Sequence, residues 1–571
     1  MPFPLNAIGA TLAILSAFVT PFIVVRSVLP SASAASTVAV AGVLSIALNT
    51  AVPVCLHILS IPLQPVTLSL CHAALLLLAV AALRLRHARL LPEDISSVRG
   101  PALLCLAGAL LLLPVTPLAG VDTYKWQDLA TVVQVEGRIP WLVNPGGLFG
   151  FAPRGYPCAQ PLTLASVQAM GNLGVEAGYF VVSLLSLFTA VFGAYRLGLA
   201  IATSTRSALW MAALYAFAPV AMRYHHWATG RGFFLAVLPL FVLAVLGRTR
   251  RHVVLAIATG LVLLTTHKTA VVAVPVLWLG ILAMPALRRG WRVALAVAAC
   301  AAATVVAGES VIPSPTGAFA CFLMAVTRFG VLAPLMLLAV IAPEPKGCGS
   351  PDTTVPDTRT PTRLTSLLIV LLPSAFSLDM YGALMVLPLA AVAAVHGMDS
   401  WVPGGRTERA TARAVAVLLA VGALAIVAVR DIRATPRRIR DAAVFLDAYD
   451  PQGPFRIVAP SGIQGRMQAY VRGCPRFNVW ARQRGETRPA VPRPGAFDSR
   501  RGIARGAMSF LRNTLDSPEL ATDWYGQTVA VYYVLVDGDG EMSPGAVEIY
   551  NRKGVAIFKQ STPRQDRQAA P

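Results

Sequence analysis

The stretch Val121-Asp-Thr-Tyr-Lys-Trp-Gln-Asp128 is a polar island between two apolar runs, residues 102–118 before it and 179–202 after it. A helix crossing a bilayer takes about 20 apolar residues, and both runs approach that length. They are continuous rather than alternating, so they read as helices and not as strands of a barrel. Outward from this stretch, similar runs recur at residues 5–25, 38–59, 66–83, 208–222, 233–247, 253–266, 270–287, 293–307, 318–342, 364–376, 381–394 and 414–429. The expectation is a polytopic α-helical membrane protein with about 14 transmembrane helices. Composition agrees: of 571 residues 56% are hydrophobic and 13% charged, too apolar for a soluble chain of that length. The first run has no basic residue before it and no small-residue cleavage site after it, and reads as a retained helix rather than a removable signal peptide.

Arginine sets the expected orientation. Arg84, Arg86, Arg89 and Arg99 crowd one loop, Arg248, Arg250 and Arg251 a second, Arg288, Arg289 and Arg292 a third, and Arg406, Arg409 and Arg413 a fourth. The positive-inside rule makes these loops cytoplasmic in a plasma (inner) membrane. Alternation then places residues 121–178, 223–231, the turn at His267-Lys268, residues 308–315, residues 377–381 and everything after Val429 outside. Residues 430–440 run against this, because their five arginines would by count prefer the cytoplasm. The net charge of +21 is scattered over loops and tail, with no basic stripe interleaved with aromatics. That argues against nucleic acid and for anionic headgroups or lipid phosphates as the partners.

Three segments organise the chain. Residues 1–100 form N-terminal transmembrane helices and a basic loop, residues 101–429 a transmembrane core with the large outer loop 121–178, and residues 430–571 a soluble C-terminal α/β or α+β domain. Within the core, residues 344–363 read as a Pro/Thr-rich disordered linker. In the C-terminal domain residues 441–449 read as helix, and residues 456–460, 529–536, 546–550 and 555–559 as strands. Asp537-Gly-Asp-Gly540 alternates like a calcium loop but reads better as a hairpin turn. Cys158 and Cys474 fall on the same expected side, either paired or as free thiols; no cysteine–histidine spacing fits a metal.

The polar island continues through Glu136-Gly-Arg-Ile-Pro140 and Arg154-Gly-Tyr-Pro157 to Gln160-Pro-Leu162. Further on stand Thr229-Gly-Arg-Gly-Phe-Phe234 and Thr265-Thr-His-Lys-Thr269. Together these resemble the GT-C superfamily of membrane glycosyltransferases, which use polyprenyl-phosphate-linked sugars. The resemblance covers roughly residues 100–400 and rests on an acidic residue just outside a span, an amphipathic helix, a Glu-Gly-x-Ile-Pro turn and a Gly-Tyr-Pro entry to the next helices. Where members commonly place a histidine three or four residues after the acid, this chain has Lys125 and Trp126, and the three spans upstream of the loop are additional. The resemblance implies a lipid-linked sugar donor, an acceptor it does not identify, and transfer on the extracytoplasmic side.

The residues suit that chemistry. Asp122 is the candidate base, since an ionised carboxylate at the attack site can take the acceptor's proton. Tyr124, Asp128, Arg223, Arg231, His267 and Lys268 are the candidate substrate-binding groups, the cations being placed to meet the charge growing on a departing phosphate. No cofactor is expected; a divalent metal at Asp122 and Asp128 is conceivable, but their spacing does not support it. Blander roles compete: Asp122 would also cap a helix starting near Thr123, Arg223 and Arg231 would anchor headgroups, Lys268 would snorkel, and His225-His-Trp227 fits an interfacial belt. Arg328, within an expected span, should have a partner such as Asp379 or Glu309, or a polar cavity. A transporter or flippase of lipid-linked intermediates and a non-catalytic membrane assembly protein are the alternative functions. The chain lacks the internal repeats expected of a transporter, and a scaffold would have no need of the loop carboxylates.

Overall fold

The computed structural model describes residues 11, 13–87, 89–92, 94–112, 121–137, 139, 150–151, 156–202, 204–247, 249–283, 327–341, 360–377, 380–401, 406–433, 435–451, 455–460, 463–471, 530–540 and 546–560. A π-helical turn, Leu15–Val19, leads into α1 (Thr20–Val28), followed by α2 (Ala34–Ile58), α3 (Pro65–Leu85) and α4 (Arg99–Leu112). The polar island is itself a helix, α5 (Val121–Glu136), and a short strand pair, β1 (Gly150–Phe151) and β2 (Tyr156–Pro157), precedes α6 (Ala159–Gly171). Then come α7 (Val175–Ile201), α8 (Thr205–Ala216), α9 (Pro219–His226), α10 (Gly230–Leu246), α11 (Arg250–Thr266) and α12 (Ala270–Ala283). The core ends with α13 (Leu332–Ile341), α14 (Thr360–Ser377), α15 (Met380–Trp401) and α16 (Arg406–Arg433).

Among the described residues, six helical stretches are both long and apolar enough to span a bilayer, and three shorter apolar ones accompany them. The protein is a multi-pass membrane protein; the described residues do not confirm the fourteen spans expected. Residues 293–307 lie outside the described residues, as do 318–326 of the run 318–342. The expected span 208–222 is instead two helices, because Pro219 disfavours helical geometry at Ala218, whose ψ is 141°. Arg328 is not inside a continuous span either: a turn at Gly330, with φ +59°, separates it from α13, and both acids considered for it lie outside the described residues. The expected linker ends early, since α14 already begins at Thr360.

Burial sorts the helices. The most apolar window of α15 is 89% buried and that of α7 72%, whereas those of α3 and α16 are 22% and 17% buried, leaving leucines such as Leu70, Leu77 and Leu78 facing outward. An apolar residue facing outward on a spanning helix meets lipid and costs nothing there. In α10 the run Gly232–Leu240 is wholly buried, so this helix is a central post. Prolines stand inside α2, α10, α12 and α15, as membrane helices allow where the freed backbone groups can find partners within the protein.

The helix ends alternate. At one end Arg26 donates to the Arg89 and Pro30 carbonyls, Arg86 to the Ser27 carbonyl, and Ser207 to Asp399. At the other lie the loop helix α5, the turns before α10 and after α11, and the exit of α16. This second end carries the C-terminal domain, made of α17 (Arg437–Tyr449), β3 (Phe455–Val458), α18 (Ile463–Gln468), β4 (Ala530–Val536), β5 (Val547–Arg552) and β6 (Val555–Gln560). Its sheet runs β3-β4-β6-β5, with β3 and β4 parallel and the other pairs antiparallel. Alternation puts Tyr532 and Val534 on the inner face, where they join Ile457 and Ile557 under Ile439 and Leu446 of α17. The Asp537–Gly540 turn does not close a hairpin between neighbours, because β6 lies between the strands it connects. Arg438 takes both Asp537 carboxylate oxygens, at 2.6 and 2.7 Å, and so occupies the ligand a calcium loop would need.

Candidate active site

The site is built around one tight turn. Residues Trp227–Gly230 link α9 to α10, and two carbonyls of the turn are held by other helices. Thr123 Oγ1 of α5 donates to the Trp227 carbonyl at 3.4 Å, and Gln160 Nε2 of α6 donates to the Ala228 carbonyl at 2.5 Å. Ala228 adopts φ +40°, a left-handed conformation that costs a non-glycine residue about 1–2 kcal/mol and persists here because its surroundings over-determine it. Gly230 then brings three elements together. A methyl group there would fall inside van der Waals contact of the Thr266 carbonyl and 3.0 Å from the Trp126 ring, so only glycine lets α10, α11 and α5 meet this closely.

Arg231 follows directly. Its guanidinium lies between two tyrosine rings, 5.1 Å from the Tyr224 centroid and 5.3 Å from that of Tyr381, and donates to the Tyr381 hydroxyl at 3.2 Å. An arginine stacked this way is pre-organised for bidentate contact with a phosphate. The Tyr381 ring also packs 5.4 Å from the His267 ring, so residues from α10, the turn after α11 and α15 converge.

His267 is a donor rather than a cation. Its Nδ1 accepts the Thr269 backbone N–H at 3.2 Å and lies 2.8 Å from Thr269 Oγ1, so the ring proton sits on Nε2. Burial first, then the charges of Arg231 and Lys268, hold its pKa well below the ordinary histidine value. The expectation of a positive His267 is corrected accordingly: the positive charge of the group comes from Arg231 and Lys268, and His267 offers a neutral N–H.

The other expected residues fall as follows. Lys268 is half-buried in the turn beside His267. Arg223 stacks on Trp227, 4.3 Å above its ring, one helical turn away from the carbonyl that Thr123 holds. Tyr124 is 5% exposed and its hydroxyl lies 2.9 Å from Thr435 Oγ1, so it is engaged within the protein. The main chain of α5 begins at Val121, which places Asp122 in the first turn and not at the cap position before it; negative charge is favoured there by the helix dipole. The side chains of Asp122 and Asp128 lie outside the described residues, as do Glu309, Asp379 and Cys474. Cys158 is buried just before α6, and burial pushes its thiol up to about 12.

Several residues outside the candidate set seat α5. Buried Gln127 and Gln168 exchange amide hydrogen bonds at 3.0 and 3.4 Å, and Gln134 donates to Gln168 at 2.9 Å, which ties α5 to α6. Tyr179 of α7 donates to the Thr123 carbonyl at 2.7 Å. His225, fully buried, gives its Nδ1 to Ser186 at 2.8 Å and belongs to the packing. Among the described residues no cluster of three or more histidine, cysteine or acidic side chains could hold a metal.

No family model matches the chain, and no curated protein does. Among solved structures it is similar to ArnT from Cupriavidus metallidurans bound to undecaprenyl phosphate, at 14% identity and TM-score 0.45, over 80% of this chain and 97% of that one. It is also similar to the arabinofuranosyltransferase AftD from Mycobacteria, at 16% identity and TM-score 0.38, over 66% of this chain and 31% of that one.

Proposed function

We propose that the protein is a membrane glycosyltransferase that moves a sugar from a polyprenyl-phosphate carrier to an acceptor, on the extracytoplasmic side. The observation that carries this reading is the convergence of Arg231, His267 and Tyr381, from separate helices, at the bundle end where α5 begins. Arg231 and the Nε2–H of His267 bind the phosphate, with Lys268 adding charge nearby. The acceptor hydroxyl attacks the anomeric carbon while Asp122 takes its proton. The bond from that carbon to the phosphate oxygen breaks, and its electron pair leaves with the polyprenyl phosphate. One displacement inverts the anomeric centre and needs one base, not the carboxylate pair of a retaining hydrolase.

The test uses the full-length protein in lipid nanodiscs, titrated with undecaprenyl phosphate and read by native mass spectrometry. Removing a charge-assisted hydrogen bond costs about 1.5–3 kcal/mol, so Arg231→Met should weaken binding by about ten- to a hundredfold. A panel of polyprenyl-phosphate-linked sugars then identifies the donor, with which Asp122→Asn should lose about 10²–10⁴ in turnover while binding the carrier normally. A parent protein that does not bind undecaprenyl phosphate, or an Arg231→Met variant that binds it equally well, would sink the proposal.

A further inference from the structure

The C-terminal domain is joined to the loop helix at more than one place. Tyr124 of α5 meets Thr435, just before α17, with 2.9 Å between hydroxyls, and both residues are buried. Glu176, in the first turn of α7, accepts from Arg440 of α17 at 3.0 Å and from the Tyr470 hydroxyl, just beyond α18, at 3.3 Å. The short helix α18 also packs against α5 itself. Beneath, Tyr179 sits one turn after Glu176 in α7 and holds the Thr123 carbonyl. The start of α5 is therefore held both by α7, through Tyr179 on the Thr123 carbonyl, and by the C-terminal domain, through Thr435 on Tyr124.

From this arrangement we infer that the C-terminal domain is a working part of the site: through Tyr124–Thr435 and Glu176–Arg440 it fixes the first turn of α5, and with it the main chain at Asp122. Tyr124 and Glu176 are positioning residues that act through α5 and do not touch substrate. The inference rests on the reading of Asp122 as base, and adds to it the claim that the base is set by a domain outside the bundle. Of the five arginines at 430–440, Arg440 pairs with Glu176 of the bundle, and Arg438 pairs with Asp537 within the C-terminal domain.

Tyr124→Phe and Glu176→Gln in the full-length protein in nanodiscs provide the test. Each should speed amide exchange across residues 121–136 at least tenfold, leave exchange in 230–266 unchanged, and leave affinity for undecaprenyl phosphate within twofold of the parent. With the donor from the panel, turnover should fall about tenfold at an unchanged half-saturating donor concentration. The charge-reversed pair Glu176→Arg with Arg440→Glu should restore the parent exchange and turnover, which a loss of general stability would not permit. Unchanged exchange in 121–136, acceleration spread equally through 230–266, or failure of the reversed pair to rescue would each overturn the inference. A parent protein that binds no undecaprenyl phosphate defeats the proposed function instead, and the two failures are told apart by that measurement.

Discussion

Replacing Gly230 by alanine adds one methyl group at the point where α10, α11 and α5 meet. The nearest atom is the Thr266 carbonyl oxygen, which belongs to the backbone, and the next are Trp126 ring carbons at 3.0 and 3.2 Å. Carbon atoms rest at about 3.5–4.0 Å from their neighbours, so α11 must withdraw by about 1 Å, and His267 moves with it. Overpacking of this kind costs about 1–3 kcal/mol of stability. A displacement of about 1 Å in a positioned group costs about a hundredfold in rate. Gly260→Ala, in the interior of α11, supplies the control, because a methyl group there finds ordinary contacts at 3.5 Å and removes a glycine from a helix interior. Thermal unfolding in nanodiscs, undecaprenyl phosphate titration and turnover of the identified donor are measured for both. Gly230→Ala should melt lower, bind the carrier more weakly and turn over about a hundredfold more slowly, while Gly260→Ala stays at or above the parent. A Gly230→Ala protein with parent affinity and turnover would refute the claim that this junction sets the site.

Three further outcomes are expected. His267→Gln keeps a neutral N–H donor and should lose less than about tenfold in carrier affinity, whereas His267→Ala should lose more; because the folded pKa lies below 6.5, its contribution to stability is present above that value and declines as the pH falls beneath it, with no limb in carrier binding between pH 6.5 and 8. The hydrogen bonds from Arg438 hold the Asp537 carboxyl below its ordinary 3.8, so Arg438→Met should lower the melting temperature of the C-terminal domain at pH 7, the deficit closing as the pH falls below 3.8 and through the folded value. Ala228→Gly relieves the left-handed φ while keeping the carbonyl on Gln160, and should stabilise the protein by about 1 kcal/mol in thermal unfolding with turnover unchanged.

Much of the bundle was legible because lipid imposes a simple rule on sequence: long apolar runs separated by arginine loops. The strands at Ala530–Val536 and Val555–Gln560 were equally plain, since β-branched and aromatic residues bounded by Asp-Gly and Lys-Gly turns leave few alternatives. The division of residues 208–222 was visible in Pro219, but total hydrophobicity outweighed it in the reading. Arg231 and His267 were marked by the rarity of charge beside a span. Gln160 stood in the quoted loop stretch without a role, and Tyr179 and Tyr381 were not marked, because a tyrosine beside an apolar run looks alike whether it bonds across the bundle or only fills space. Nor could a linear text reveal that His267 is neutral, which depends on burial and on Thr269 taking Nδ1.

The central claim is that the carrier's phosphate sits on Arg231 and His267, beside the first turn of α5. A cryo-EM structure of the full-length protein in nanodiscs with undecaprenyl phosphate tests it most directly. The account predicts phosphate oxygens within hydrogen-bonding distance of the Arg231 guanidinium and of His267 Nε2, on the side of the bundle that carries the C-terminal domain. Phosphate density at the opposite end, among Arg86, Arg89 and Arg99, would contradict it.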